Sequence, residues 1–221
     1  MRFGREWRFV LLGFPVRVDL SFWLVAALIA ARRPLELVLV WVGVVFVSVL
    51  VHELGHAVVA RRYGMRPRID LYSMGGLTSF DASRRLTPGR SIALSLAGPA
   101  FGFALAGLVL AGERFLPPDT HYYARVAVGD LAWVNFGWGL VNLLPVLPLD
   151  GGSVMRRMIE MVKKRSDELL ALRVSMTVAG GATLWALYSQ LYLASFMGAY
   201  FFYVNYQQYR LSVPQTRAVQ G

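Results

Sequence analysis

Val51-His52-Glu53-Leu54-Gly55-His56-Ala57 lies inside an apolar run that begins near Leu35. If Val47 to Ala60 is helical, His52 and His56 stand four residues apart and project from one face. Two imidazoles at that separation can hold one Zn2+ at about 2.0–2.1 Å, leaving positions open for a further ligand and a water. Glu53, beside the first ligand, can take a proton from that water, as in zinc hydrolases. The bland alternative is a helix whose two histidines and one glutamate hydrogen-bond to their neighbours. The location of the motif weighs against that alternative.

The 221 residues are 56% hydrophobic and only 16% charged, with a mean hydropathy of +0.48. Soluble domains run nearer about 45–50% apolar and about 25% charged, so this composition indicates a membrane protein. Cysteine is absent, which removes disulfides, thiolate ligands and thiol nucleophiles. Of three histidines two are in the motif, and His121 follows Pro117 and Pro118. A net charge of +10 suggests nucleic acid or an anionic surface. In a membrane protein it is explained more simply by Lys and Arg gathering in cytoplasmic loops, and no nucleic-acid partner is expected. The basic N-terminus has no compact apolar region ending in a small-residue cleavage site, so no cleavable signal peptide is expected.

Residues 1–19 alternate apolar and basic side chains around Gly13-Phe14-Pro15 and read as an interfacial hairpin or strand. Apolar runs follow at Leu20 to Ala31, Leu35 to Arg61, Ile92 to Ala111 and Val126 to Leu147. Leu169 to Tyr209 is about 60 Å long as a helix against a bilayer core of about 30 Å, so it reads as two spans turning near Gln190 to Ser195. The expected architecture is one membrane-embedded domain over 1–221, an all-α polytopic protein with about six transmembrane helices and a short membrane-associated β-hairpin or strand. Placing the N-terminus in the cytoplasm puts 19 of the 23 basic residues inside, leaving Arg32, Arg33, Arg114 and Arg125 outside. The inside set begins with Arg2, Arg5, Arg8 and Arg17, includes Arg61, Arg62, Arg84 and Arg85, and ends at Arg210 and Arg217. Both termini are thus expected to be cytoplasmic. His52 then lies about 25 Å along the second span, in its cytoplasmic half. Ionisable groups at that depth normally face a bundle interior or a watery cavity, which makes the cluster a functional hypothesis.

A catalytic zinc usually has three protein ligands. With no cysteine and His121 expected outside, the third should be a carboxylate. Asp150 is the strongest candidate: Pro145 and Pro148 end or kink the fourth span, Gly151-Gly152 allows a tight turn, and that span also runs inward. Asp150 could instead be an N-cap for a helix beginning near Gly152, or a plain turn aspartate. Asp130 reads as an external-interface residue. Asn135 and Asn142, seven apart, share a face of the fourth span; they either hydrogen-bond between helices or, for Asn142, point into the site and hold a substrate carbonyl.

His52-Glu53-Leu54-Gly55-His56 and the segment Asn142-x-x-Pro145-x-x-Pro148-Leu149-Asp150-Gly151 together resemble the site-2 protease family of intramembrane zinc metalloproteases, as does Ala97-Gly98-Pro99 in the third span. The resemblance covers about residues 8–155, with 20–155 as catalytic core and 169–209 as two further spans. It implies one Zn2+ on His52, His56 and Asp150, Glu53 as general base, and hydrolysis of peptide bonds within membrane-spanning substrates. The resemblance implies as partners regulatory proteins already cut by another protease, or signal-peptide remnants, and as location a prokaryotic cell membrane. Relatives often carry Asn three residues after the Gly-Pro pair, where this chain has Gly102, so that role does not transfer. A minimal form without PDZ or CBS domains is expected. The family places a strand near its active site, and Arg68 to Phe80, with its alternation and Gly75-Gly76, reads as that strand or as a surface turn. Gly180-Gly181 reads as a hinge or as a close-packing pair. Rival functions are an inactive scaffold of the same fold and, with less support, a metal transporter; a transporter would need ionisable residues through the outer halves of the spans.

Overall fold

The computed structural model describes residues 6–81 and 86–220. Arg2, Arg5, Arg84 and Arg85 lie outside the described residues, as does the side chain of Arg217. The chain divides into two compact units, residues 1–85 with 97–140 and residues 86–96 with 141–221.

The first unit is built on two hairpins. Strands β1 (Glu6–Leu11) and β2 (Phe14–Asp19) pair antiparallel through Leu12 and Gly13, both at positive φ (51° and 80°). Two left-handed residues in a two-residue turn match the natural twist of a hairpin. β3 (Pro67–Tyr72) and β4 (Gly75–Phe80) pair antiparallel, and β2 runs parallel to β3 with Val16 opposite Ile69. The result is one four-stranded sheet in the order β1-β2-β3-β4 rather than a lone hairpin. The structure is mainly helical with a small β element, as expected, and the two segments read separately in the sequence form a single sheet. Alternation decides its faces, because Phe14, Val16, Val18, Ile69 and Leu71 are buried while Arg17 and Asp70 on the opposite face form an ion pair at 3.1 Å.

Helix α1 (Leu20–Ile29) starts where Asp19 accepts a hydrogen bond from the Ser21 backbone N–H at 2.8 Å. Helix α2 (Leu35–Arg62) has 28 residues, about 42 Å. Its last turns pack Val49, Leu50, Leu54 and Ala57 with Phe22 against the buried face of the sheet. Each large apolar side chain fully buried there contributes about 1.5–3 kcal/mol. This packing fixes the turn of α2 that carries the motif. The later part of α3 (Pro88–Glu113) and most of α4 (Tyr122–Asn142) complete the unit. Asp130 on α4 binds Arg33 at 2.6 Å.

In the second unit, α4 ends at Asn142, short of Pro145 and Pro148. Helices α5 (Asp150–Lys163), α6 (Glu168–Tyr188) and α7 (Tyr192–Gln220) follow. The break expected near Gln190 to Ser195 falls at Ser189–Leu191, with Gln190 at φ 59°. Close approach of α6 and α7 centres on Gly198, where a Cβ would lie 2.5 Å from Thr183 Oγ1. Gly181 has nothing within 4 Å of such a Cβ. Among the described residues three helices, α2, α3 and α6, are long and apolar enough to cross a membrane, whereas α1 has 10 residues, about 15 Å.

Candidate active site

On α2 the side chains of His52, Glu53 and His56 are all buried, between 5% and 9% exposed. The helical spacing turns both rings to one side, with Nε2 of His52 and Nε2 of His56 3.2 Å apart. Two imidazole nitrogens converging on one side of an apolar helix can share a cation through their lone pairs. The space beside them is kept by a missing side chain. A Cβ on Gly98 of α3 would lie 2.6 Å from His52 Nε2 and closer still to His56 Nε2. One turn along α2, a Cβ on Gly55 would lie 2.9 Å from the Ala97 carbonyl carbon, so the two helices meet backbone to backbone. The Ala97-Gly98-Pro99 stretch thus has a steric reason.

Strand β4 closes over the carboxylate of Glu53. Thr78 Oγ1 donates to Glu53 Oε2 at 2.7 Å and lies 3.1 Å from the Glu53 carbonyl oxygen. Gly76 lies against the same side chain: a Cβ there would sit 2.5 Å from Glu53 Cγ and Oε1. The sequence marks Gly75-Gly76 but gives Thr78 no evident role. No local signal marks it, since the contact joins positions 25 residues apart.

Asn135 takes the bland role. It is 3% exposed and its Nδ2 donates to Ser48 Oγ at 2.8 Å and to the Leu131 carbonyl. A Cβ on Gly102 would make ordinary contact with Asn135 at 3.5–3.6 Å. Asn142, also buried, is the last residue of α4.

In the second unit, Asp150 is the first residue of α5. Leu149 occupies the N-cap position and makes no side-chain capping bond, so Asp150 is not that helix's N-cap. A carboxylate at this position is favoured by the helix dipole. The loop before it is clamped: the Leu147 N–H donates to Ser175 Oγ at 3.1 Å, and Asn205 Nδ2 donates to the Leu147 carbonyl at 2.6 Å. Gly151 and Gly152 are required by close approach, since a Cβ on either would fall within about 2.5 Å of the Leu144 carbonyl oxygen or the Leu147 nitrogen. The first unit carries two imidazoles, those of His52 and His56, and the second carries the carboxylate of Asp150. Two imidazoles and one carboxylate suit Zn2+.

Buried paired imidazoles with a neighbouring carboxylate on a mainly apolar helix are a donor set suited to a metal-dependent hydrolase. Residues 40–122 and 121–187 match the family model described as Peptidase family M50, and the chain belongs to that family. It is 31% identical over 182 residues to the protein sll0528 of Synechocystis sp., covering 74% of this chain and 47% of that one. It is 28% identical over 155 residues to MJ0392 of Methanocaldococcus jannaschii, named a zinc metalloprotease, covering 68% and 44%. The chain thus spans about half the length of these curated relatives. In fold it is similar to a solved Site-2 Protease from Methanocaldococcus jannaschii, with a TM-score of 0.66, 24% identity and coverage of 93% and 95%.

Proposed function

We propose that this chain is an intramembrane zinc endopeptidase that hydrolyses peptide bonds within or near the membrane-spanning segments of protein substrates. The observation that carries this reading is the buried His52–His56 pair beside a Glu53 carboxylate held by Thr78, on a helix long enough to cross a membrane. His52, His56 and Asp150 would hold the zinc. When bound, zinc supplies Lewis-acid chemistry, acidifying water and polarising a carbonyl. Glu53 takes the proton of the attacking water and returns it to the leaving amine. Asn142 would orient the substrate carbonyl. β4 is an edge strand, with Leu77 and Phe80 exposed, and could hold an unwound substrate by strand addition.

The reading extends to six spans, both termini in the cytoplasm, a prokaryotic cell membrane, and substrates already trimmed by another protease. Glu53→Gln in the reconstituted full chain is expected to lower cleavage of a membrane-spanning substrate by about 10²–10⁴-fold while bound zinc is kept. His56→Ala should lose both. Undiminished cleavage by Glu53→Gln would overturn the base assignment. Absence of cleavage by the zinc-loaded native chain across membrane substrates would favour an inactive scaffold.

A further inference from the structure

Helix α5 has a face that the proposed reaction leaves unused. At 100° per residue, Val154, Met155, Met158, Ile159, Met161 and Val162 fall within an arc of about 160°. Arg156, Arg157, Glu160, Lys163 and Lys164 fill the opposite arc. The far end of the apolar arc is uncovered: Met158 is 55% exposed, Met161 53% and Val162 82%. Fourteen residues make about 21 Å, too short to cross a bilayer, so this helix cannot hide its apolar arc by spanning.

Charge indicates what covers the arc. Between residues 156 and 165 five basic side chains accompany one acidic one, Glu160. Glu160 is bound by Arg157 at 2.7 Å, and Lys163 binds Asp167 at 2.6 Å. Arg156, Lys164 and Arg165 are exposed and supply the remaining positive charge beside the bare Met and Val side chains. A short helix with one wide apolar arc and a basic polar arc lies flat in a membrane interface, with its apolar side chains below the headgroups and its cations among lipid phosphates.

We propose that α5 docks on the membrane surface and that its ligand is anionic lipid. The seat would set the depth at which α5 presents its first residue, Asp150. Which leaflet it occupies follows from the proposed orientation and rests on that reading; the docking itself does not.

The chain has no cysteine, so single-cysteine spin labels report depth without background. Full-length Met158→Cys, Val162→Cys and, on the polar arc, Glu160→Cys are reconstituted in phosphatidylcholine vesicles with and without about 30% phosphatidylglycerol. Accessibility is then read with oxygen and with a water-soluble nickel chelate. Labels at 158 and 162 are expected to be oxygen-accessible and chelate-protected in the anionic vesicles, with 160 the reverse. Adding Lys164→Gln and Arg165→Gln should lower the ratio of buried to exposed label about five-fold per charge removed. Chelate access at 158 and 162 in both compositions overturns the proposal. Protection from both oxygen and chelate also overturns it, by showing a protein partner on this face, and equal burial with and without anionic lipid overturns the assignment of the ligand. Zinc content, measured on the same samples, separates failure of docking from failure of the metal reading.

Discussion

Thr78 and Gly76 act on one carboxylate in complementary ways, the first by giving it a hydrogen bond and the second by staying out of its way. A hydrogen bond to a charged group contributes about 1.5–3 kcal/mol, and each 1.4 kcal/mol is a factor of ten. Thr78→Val, nearly equal in volume, should therefore lower kcat on a reconstituted substrate at least about ten-fold with zinc content unchanged, and Thr78→Ser should restore most of it. A Val variant as fast as the native chain would remove Thr78 from the mechanism. Gly98→Ala puts a methyl group where the two Nε2 atoms converge, and should lose zinc while costing about 1–3 kcal/mol through overpacking. Metal analysis and thermal unfolding of the purified variant check both parts. At this scale the His-Glu-x-x-His set was readable because one helix carries all three groups at fixed angles. Thr78 was not, because its part depends on which strand reaches Glu53.

Among the elements, α6 and α7 serve the loop before Asp150 through the backbone of one residue, Leu147. Ser175 accepts from the Leu147 N–H and Asn205 donates to its carbonyl. Both polar residues are buried, at 0% and 2% exposed. Asn205→Ala leaves that carbonyl short of a partner and should cost about 1–3 kcal/mol, read as a lower melting temperature in detergent. A change below about 0.3 kcal/mol would show that the bond is dispensable. The start of α6 carries a pH-dependent contribution. The hydrogen bond from Lys163, and then that from the Leu170 N–H, hold the Asp167 carboxyl below the usual carboxylate range. A depressed folded value means the stabilisation is present above the unfolded value near 3.9 and is lost as pH falls below it. For a half-exposed pair this amounts to a few tenths of a kcal/mol, so Asp167→Asn, which still caps the helix, should flatten the acid limb of the melting curve slightly. The breaks between these helices were legible where proline stands, at Pro145 and Pro148. The Ser189–Leu191 turn was placed by length alone, and its limits by Gln190 taking a left-handed conformation that few side chains signal.

For the whole molecule, the distribution of Lys and Arg predicts orientation. An impermeant maleimide should label Asp119→Cys from outside intact cells and reach Arg165→Cys only after permeabilisation; the reverse pattern would sink the proposed topology. The sequence by itself determined that the chain is apolar enough for a membrane, that two imidazoles and a carboxylate share one turn of an apolar helix, and that a second motif surrounds Asp150. Those properties follow from composition and from the 3.6-residue period, which act locally. The parallel pairing of β2 with β3, which merges two hairpins into one sheet, was decided only by the tertiary structure, as were the placement of β4 over Glu53 and the steric need for Gly98. Each depends on residues tens of positions apart meeting at van der Waals distance, and no local pattern encodes which surfaces will meet.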